Sequence, residues 1–166
     1  MASIVLRPWQ NSDLDNLVKY ANNKNVANML MDRFPSPFTP EIGEEFIQRN
    51  SRHTPENVLA ITNNGQAIGG IGIHPLDDIF MKNGELGYWL AEEFWGQGIM
   101  TRAVPQMVNY VFNNFALERI FARPFGSNLG SQRVLEKCGF ILEATLYQTI
   151  FKNGKFEDEL IYAIRK

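Results

Sequence analysis

The sequence predicts an α/β fold, one sheet with helices on both faces, built as a single domain over residues 1–166. Three observations carry that prediction. The 166 residues sit close to the ~150 of an ordinary domain. Short β-rich runs and amphipathic helical runs alternate in an irregular order, which one layered sheet accommodates. Asn64-Gly65 and Asn153-Gly154 each lie between two β-rich runs, a strong hairpin signal because both residues accept positive φ.

Each element has a local reason. Residues Ser3–Leu6 read as a first strand. Ser12 is the expected cap of a helix, with Asp15 as its partner and Leu14, Leu17, Val18 and Ala21 on one face. A second helical stretch is expected around Val26–Leu30. The three prolines of Arg33–Pro40 force a loop, and Thr39 with Pro40 opens the next helix. Val58–Thr62 and Ala67–Ile73 form the first hairpin, and Glu85–Leu90 is a further strand. Val104, Met107, Val108, Val111, Phe112 and Phe115 then recur at helical spacing. Pro105 lies inside that helix, where it forbids the bond to the Thr101 carbonyl and should bend or delay the helix. Arg119–Arg123 is a strand, Asn128–Lys137 a helix stopped at Gly139, and the chain closes on two strands.

Composition narrows the function classes. Sixteen basic and eighteen acidic residues give a formal charge of −2, which offers no bulk attraction to nucleic acid or to an anionic membrane. No apolar run reaches the roughly 18–20 residues that span a bilayer. Arg7 and Pro8 interrupt the start before a signal-peptide core forms, so a cytoplasmic location is expected. A single cysteine, Cys138, excludes an internal disulfide and a multi-cysteine zinc site, and no metal is expected.

Two segments carry chemistry. In Glu93–Val104, Gly96 and Gly98 stand between a strand and a helix, where bare backbone N–H groups and a helix N-terminus suit a phosphate. A plain tight turn is the competing explanation. The third glycine of a dinucleotide fingerprint and the Gly-Lys-Ser/Thr of a P-loop are both missing. In Asn128–Phe140, Asn128 is a natural N-cap, and Val134, Leu135 and Cys138 face a core.

Together these segments resemble the GNAT superfamily of acetyl-CoA-dependent N-acetyltransferases, and more narrowly its ribosomal-protein N-terminal acetyltransferase (RimJ/RimL-like) branch. ELGYWL followed by FWGQGIMTRAV resembles that branch's strand, pyrophosphate loop and helix start, and NLGSQRVLEKCGF its second CoA-contacting helix. RFPSPFTPEIGEEFI resembles its substrate-side loop and helix, and NGKFEDELIYAI its terminal hairpin. The resemblance implies a mixed, mostly antiparallel sheet opened into a V by a bulge in the fourth strand. It implies acetyl-CoA in that V, its pantetheine along Tyr88, Trp89 and Leu90. The pyrophosphate would lie at Gly96, Gln97, Gly98, Ile99, Met100 and Thr101, with Asn128 and Ser131 also touching the cofactor. Glu93 stands where the family usually has Gln or Arg, and Arg102 where an acidic residue is frequent.

The implied reaction needs a neutral amine, a polarised thioester carbonyl and a proton for the thiolate. A backbone N–H around Trp89 or Leu90 serves the oxyanion. The family's usual tyrosine acid falls on Leu135, which leaves Ser131 as the candidate acid against a plain capping role. Glu85 is the candidate base against an ordinary strand-end carboxylate. Tyr147, Asp158 and His74 lie near the expected acceptor cleft and read as structural; Cys138 reads as a small buried hydrophobe. The implied partners are acetyl-CoA and an amine acceptor, either a protein N-terminus or a small molecule such as a polyamine. A non-catalytic CoA-binding module is the rival function.

Overall fold

A computed structural model describes residues 3–166. Seven strands form one sheet: β1 (Ile4–Pro8), β2 (Val58–Asn63), β3 (Gln66–Pro75), β4 (Asn83–Leu90), β5 (Arg119–Ala122), β6 (Ile141–Lys152) and β7 (Lys155–Arg165). Their spatial order is β1-β2-β3-β4-β5-β7-β6. Every neighbouring pair is antiparallel except β4 and β5. Five helices accompany them: α1 (Leu14–Ala21), α2 (Lys24–Ala27), α3 (Pro40–Asn50), α4 (Ile99–Asn114) and α5 (Leu129–Lys137). Both hairpins turn where the sequence places them, with Asn64 and Asn153 left-handed at φ 49° and 52°.

The sheet has a core on each face. On one side Ile61, Ile71, Ile73 and Leu86 meet Val104, Met107 and Val111 of α4 and Leu135 of α5. On the other, Trp9, Ala60 and Ala67 meet Leu17 and Ala21 of α1 and Ile47 of α3. Strand β2 supplies residues to both, which explains its unbroken apolar run.

Three local expectations are corrected. Ser12 is not the helix cap: a 3-10 turn over Asn11–Asp13 precedes α1, and Asp13 accepts the Gln10 N–H at 2.9 Å. Asp13 is buried and engaged by Arg7 through two bonds of 2.7 and 2.8 Å, which hold the entry to α1. The second short helix lies at Lys24–Ala27 rather than at 26–30, because Asn23 caps it by accepting the Asn25 N–H at 2.8 Å. Finally, the V is not made by a bulge in β4. The β3–β4 ladder runs without a register shift from Gly69↔Leu90 to Pro75↔Gly84. The sheet opens instead because β4 and β5 pair at only three positions, the last being Glu85↔Phe121.

Candidate active site

Beyond Glu85, β4 has a free side. Ala91 donates to the Ile68 carbonyl and Leu76 to the Asn83 carbonyl, both at 2.9 Å, in a constant register. Antiparallel alternation then turns the backbone groups of Glu85, Gly87 and Trp89 toward β3. Those of Tyr88 and Leu90 face the gap left by β5. The Leu90 carbonyl is taken by the Trp95 indole N–H at 2.8 Å. The Leu90 N–H, with both polar groups of Tyr88, remains for a ligand strand. Of the two residues expected to serve an oxyanion, Leu90 therefore has the geometry and Trp89 does not.

Two helix N-termini border this gap. The cap of α4 is Gly98, left-handed at φ 72°, with no side-chain bond to the first turn. Gly96 is left-handed too, and a Cβ at either glycine would meet nothing within 4 Å. The first-turn N–H groups have no capping acceptor here, which is the arrangement an anion needs. The Ile99 and Met100 side chains are buried in the core, so only their backbone can reach a ligand. Gln97 is bonded through its side chain to the Glu93 carbonyl at 2.9 Å, while Glu93's carboxylate holds the Tyr20 hydroxyl and raises that phenol's pKa.

At α5 the cap is Asn128, whose Oδ1 accepts the Ser131 N–H at 3.1 Å. The Ser131 hydroxyl plays no part in that cap. It lies 2.6 Å from the Tyr88 hydroxyl, on the same sheet face as Leu86 and Leu90. Burial of the phenol end pushes the Tyr88 pKa up to about 12, against the bond to Ser131, which lowers it. Tyr88 thus stays a phenol. From the sequence, Tyr88 is expected to contribute only its backbone; a hydroxyl within an apolar strand stripe is the signal for more.

Cys138 has a structural task. Helix α4 runs unbroken through Pro105, which leaves the Thr101 carbonyl without its helical donor, and the Cys138 thiol lies 3.7 Å from that oxygen. Partial burial raises the thiol's pKa, which disfavours the thiolate.

The opposite face of β4 carries Glu85, Gly87 and Trp89. A Cβ on Gly87 would meet nothing within 4 Å, and its φ needs no glycine, so its missing side chain leaves a notch. Trp89 and Phe34 wall one end, their rings 6.0 Å apart. Glu85 and its register partner His74 stand at the other. Both Glu85 oxygens are occupied by Arg123, at 3.0 and 3.1 Å, and Arg123 also reaches Glu159 at 3.2 Å. Asp158 accepts the Gln148 N–H, and Tyr147 is exposed. Phe34 continues into a mouth lined by Lys24, Asp32, Ser36 and Lys152. Lys152 pairs with Asp32 at 2.7 Å, whereas Lys24 has no ion-pair partner among the described residues. No cluster of three or more metal-ligating side chains occurs among the described residues, and no helix there is long and apolar enough to cross a membrane.

A sheet opened beside a glycine-led helix N-terminus suits an extended anionic ligand, and the comparisons say which family has that arrangement. The family model for the acetyltransferase (GNAT) domain matches residues 3–141. The chain belongs to the GNAT acetyltransferase family. It is 34% identical over 102 residues to a putative ribosomal N-acetyltransferase, YdaF, of Bacillus subtilis (strain 168), covering 61% of this chain and 55% of that one. It is 33% identical over 98 residues to the ribosomal-protein-serine acetyltransferase of Escherichia coli (strain K12), covering 59% and 54%. The matched stretch thus spans about half the length of these relatives. A GNAT-family acetyltransferase crystal structure from Bacillus anthracis shares the fold, with TM-score 0.82, 22% identity, and coverage of 99% of this chain and 96% of that one.

Proposed function

We propose that the protein moves the acetyl group of acetyl-CoA directly onto a primary amine, and that the α-amine of a peptide chain is its acceptor class. The observation that carries this reading is the free side of β4, flanked by an uncapped helix N-terminus and by the Tyr88–Ser131 pair. Acetyl-CoA fits that frame. Its pyrophosphate suits the N–H groups of Gln97–Thr101, and its pantetheine suits the free backbone of Tyr88 and Leu90 as an added strand. The thioester carbonyl then has the Leu90 N–H as a donor, and the sulfur lies toward Ser131.

The acid role for Ser131 takes a specific form. An ordinary thiol has a pKa near ~8.5, below that of a phenol at about 12 and of a serine hydroxyl. Neither hydroxyl gives its proton up to the thiolate outright. Ser131 instead donates a hydrogen bond to the departing sulfur, oriented by Tyr88, while the thiolate's proton comes from the acylated nitrogen.

Glu85 is poorly suited to the base role, because Arg123 occupies both its oxygens. It organises the notch rather than accepting a proton. The acceptor class follows from charge. A polyamine entering past Phe34 meets Lys24, and the one acid lining that mouth, Asp32, is already paired with Lys152. A peptide N-terminus brings a single ammonium and a neutral backbone. The names of the ribosomal-protein relatives support the same class.

Free-thiol release from acetyl-CoA, measured with short peptides, spermidine and an aminoglycoside, tests the proposal. Peptides turned over ahead of spermidine are expected. Binding of acetyl-CoA without thiol release on any amine would establish the rival, a non-catalytic CoA-binding module.

A further inference from the structure

The notch lacks a free base if Glu85 is held by Arg123, yet an ammonium must lose a proton before it attacks a thioester. The side chain across the ladder is His74, the register partner of Glu85 on β3 and thus on the same face of the sheet as Gly87 and Trp89. Its ring makes no hydrogen bond among the described residues, and the residue is partly open to solvent. The titratable and charged groups facing it are Glu85 from β4 and Arg33 from the loop that also supplies Phe34. We infer that His74 takes the proton of the acceptor ammonium, with Gly87 as the floor of the notch in which that amine sits. The inference rests on the reading that this site acetylates an amine.

The local electrostatics suit the task. Burial lowers the His74 pKa, Glu85 opposes that shift, and Arg33 adds to it, with the balance below the ordinary 6.5. The imidazole is neutral at pH 7 and ready to accept. Arg123 matters indirectly: by neutralising Glu85, it weakens the pull that would otherwise keep His74 protonated. The step balances. His74 removes one proton from R–NH3+. The lone pair of R–NH2 then forms the C–N bond, the C–S bond breaks, and the second nitrogen proton ends on the CoA thiolate. His74, open to solvent, then returns its proton to water.

The test compares the pH dependence of kcat/KM for the parent, His74→Gln and Glu85→Gln, each with whichever amine of the panel the parent acetylates fastest. The parent's acid limb should have its midpoint below 6.5, set by His74. In His74→Gln the midpoint should rise to the amine's own pKa, about 8 for an α-amine or about 10 for an alkyl amine. Its rate at pH 7 should fall about 10²-fold, and added imidazole should restore part of it. Acetyl-CoA affinity and melting temperature should stay at parental values, which separates a lost base from a damaged site. Glu85→Gln should move the midpoint down, since it removes the charge that favours the imidazolium. An unchanged midpoint in His74→Gln, or a midpoint that rises only in Glu85→Gln, overturns the inference. A parent that prefers spermidine overturns the peptide acceptor instead and leaves the comparison of profiles intact.

Discussion

At the start of α4 the cap is Gly98, with a left-handed backbone and no side chain to bond the first turn; at the start of α5 it is Asn128, whose Oδ1 takes up the Ser131 N–H. Both helices start at the same cleft, yet one has no side-chain cap on its N–H groups and the other has one of them closed by Asn128. An anion at α4 completes a helix that the protein leaves incomplete, so binding and local order are coupled there. At α5 the cap is internal, which frees a side-chain hydroxyl for chemistry. On the proposed reading, the difference separates two jobs: α4 would hold the donor by backbone, and α5 would act on it by side chain.

Gly98→Val should break the α4 half of that contrast with the largest effect. A β-branched residue resists φ 72° and brings a side chain into space that is empty around Gly98. Acetyl-CoA affinity should drop at least about 100-fold, some 2.7 kcal/mol. The strained backbone should cost roughly 1–2 kcal/mol of stability. Calorimetric titration beside a thermal melt checks both, and unchanged affinity would reduce the glycines to a structural turn.

Asn128→Ala tests the α5 half next. Losing the cap should cost about 0.5–2 kcal/mol, which for a chain of this size lowers Tm by roughly 2–4 °C per kcal/mol. Acetyl-CoA affinity should weaken by less than in Gly98→Val. Ser131→Ala should do the reverse of Asn128→Ala. Its hydroxyl bonds Tyr88 and not the helix, so Tm should hold while kcat falls about tenfold. A Tm loss equal to that of Asn128→Ala would return Ser131 to a capping role.

These same residues explain what the sequence discloses. Gly96, Gly98 and Asn128 act through their own backbone or the next turn, so a local pattern of glycines and a cap residue reveals them. The hairpins at Asn64 and Asn153 are legible for the same reason. Pro105 announces an orphaned Thr101 carbonyl, but its partner, Cys138, lies just past the end of α5. Glu85 reads as a free carboxylate until β4 and β5 are known to be parallel neighbours, which brings Arg123 onto it. His74 and Glu85 become a pair only through the β3–β4 register. The bulge expected in β4 fails likewise, because the opening of the V depends on how few pairs β5 makes. Local chemistry is written in local sequence, and charge neutralisation across strands is not.

Tyr88→Phe sharpens the contrast with the smallest change. Either hydroxyl in the Tyr88–Ser131 pair can donate, and the two directions have different consequences. If Tyr88 donates, Ser131 keeps its own proton free to point at the sulfur, and removing the phenol oxygen lets the serine rotate away. The rate should then fall a few-fold with acetyl-CoA affinity unchanged, since one neutral hydrogen bond is worth about 0.5–1.5 kcal/mol. If Ser131 donates instead, its proton is spent on Tyr88, and Tyr88→Phe should leave kcat unchanged or raise it. A double-mutant cycle decides between them, because Tyr88 acts only through Ser131 in the first case. There, Tyr88→Phe in the Ser131→Ala background should cost nothing further in kcat. A full additional loss in the double variant would mean that Tyr88 serves the cleft by packing alone, and the orienting role would fall.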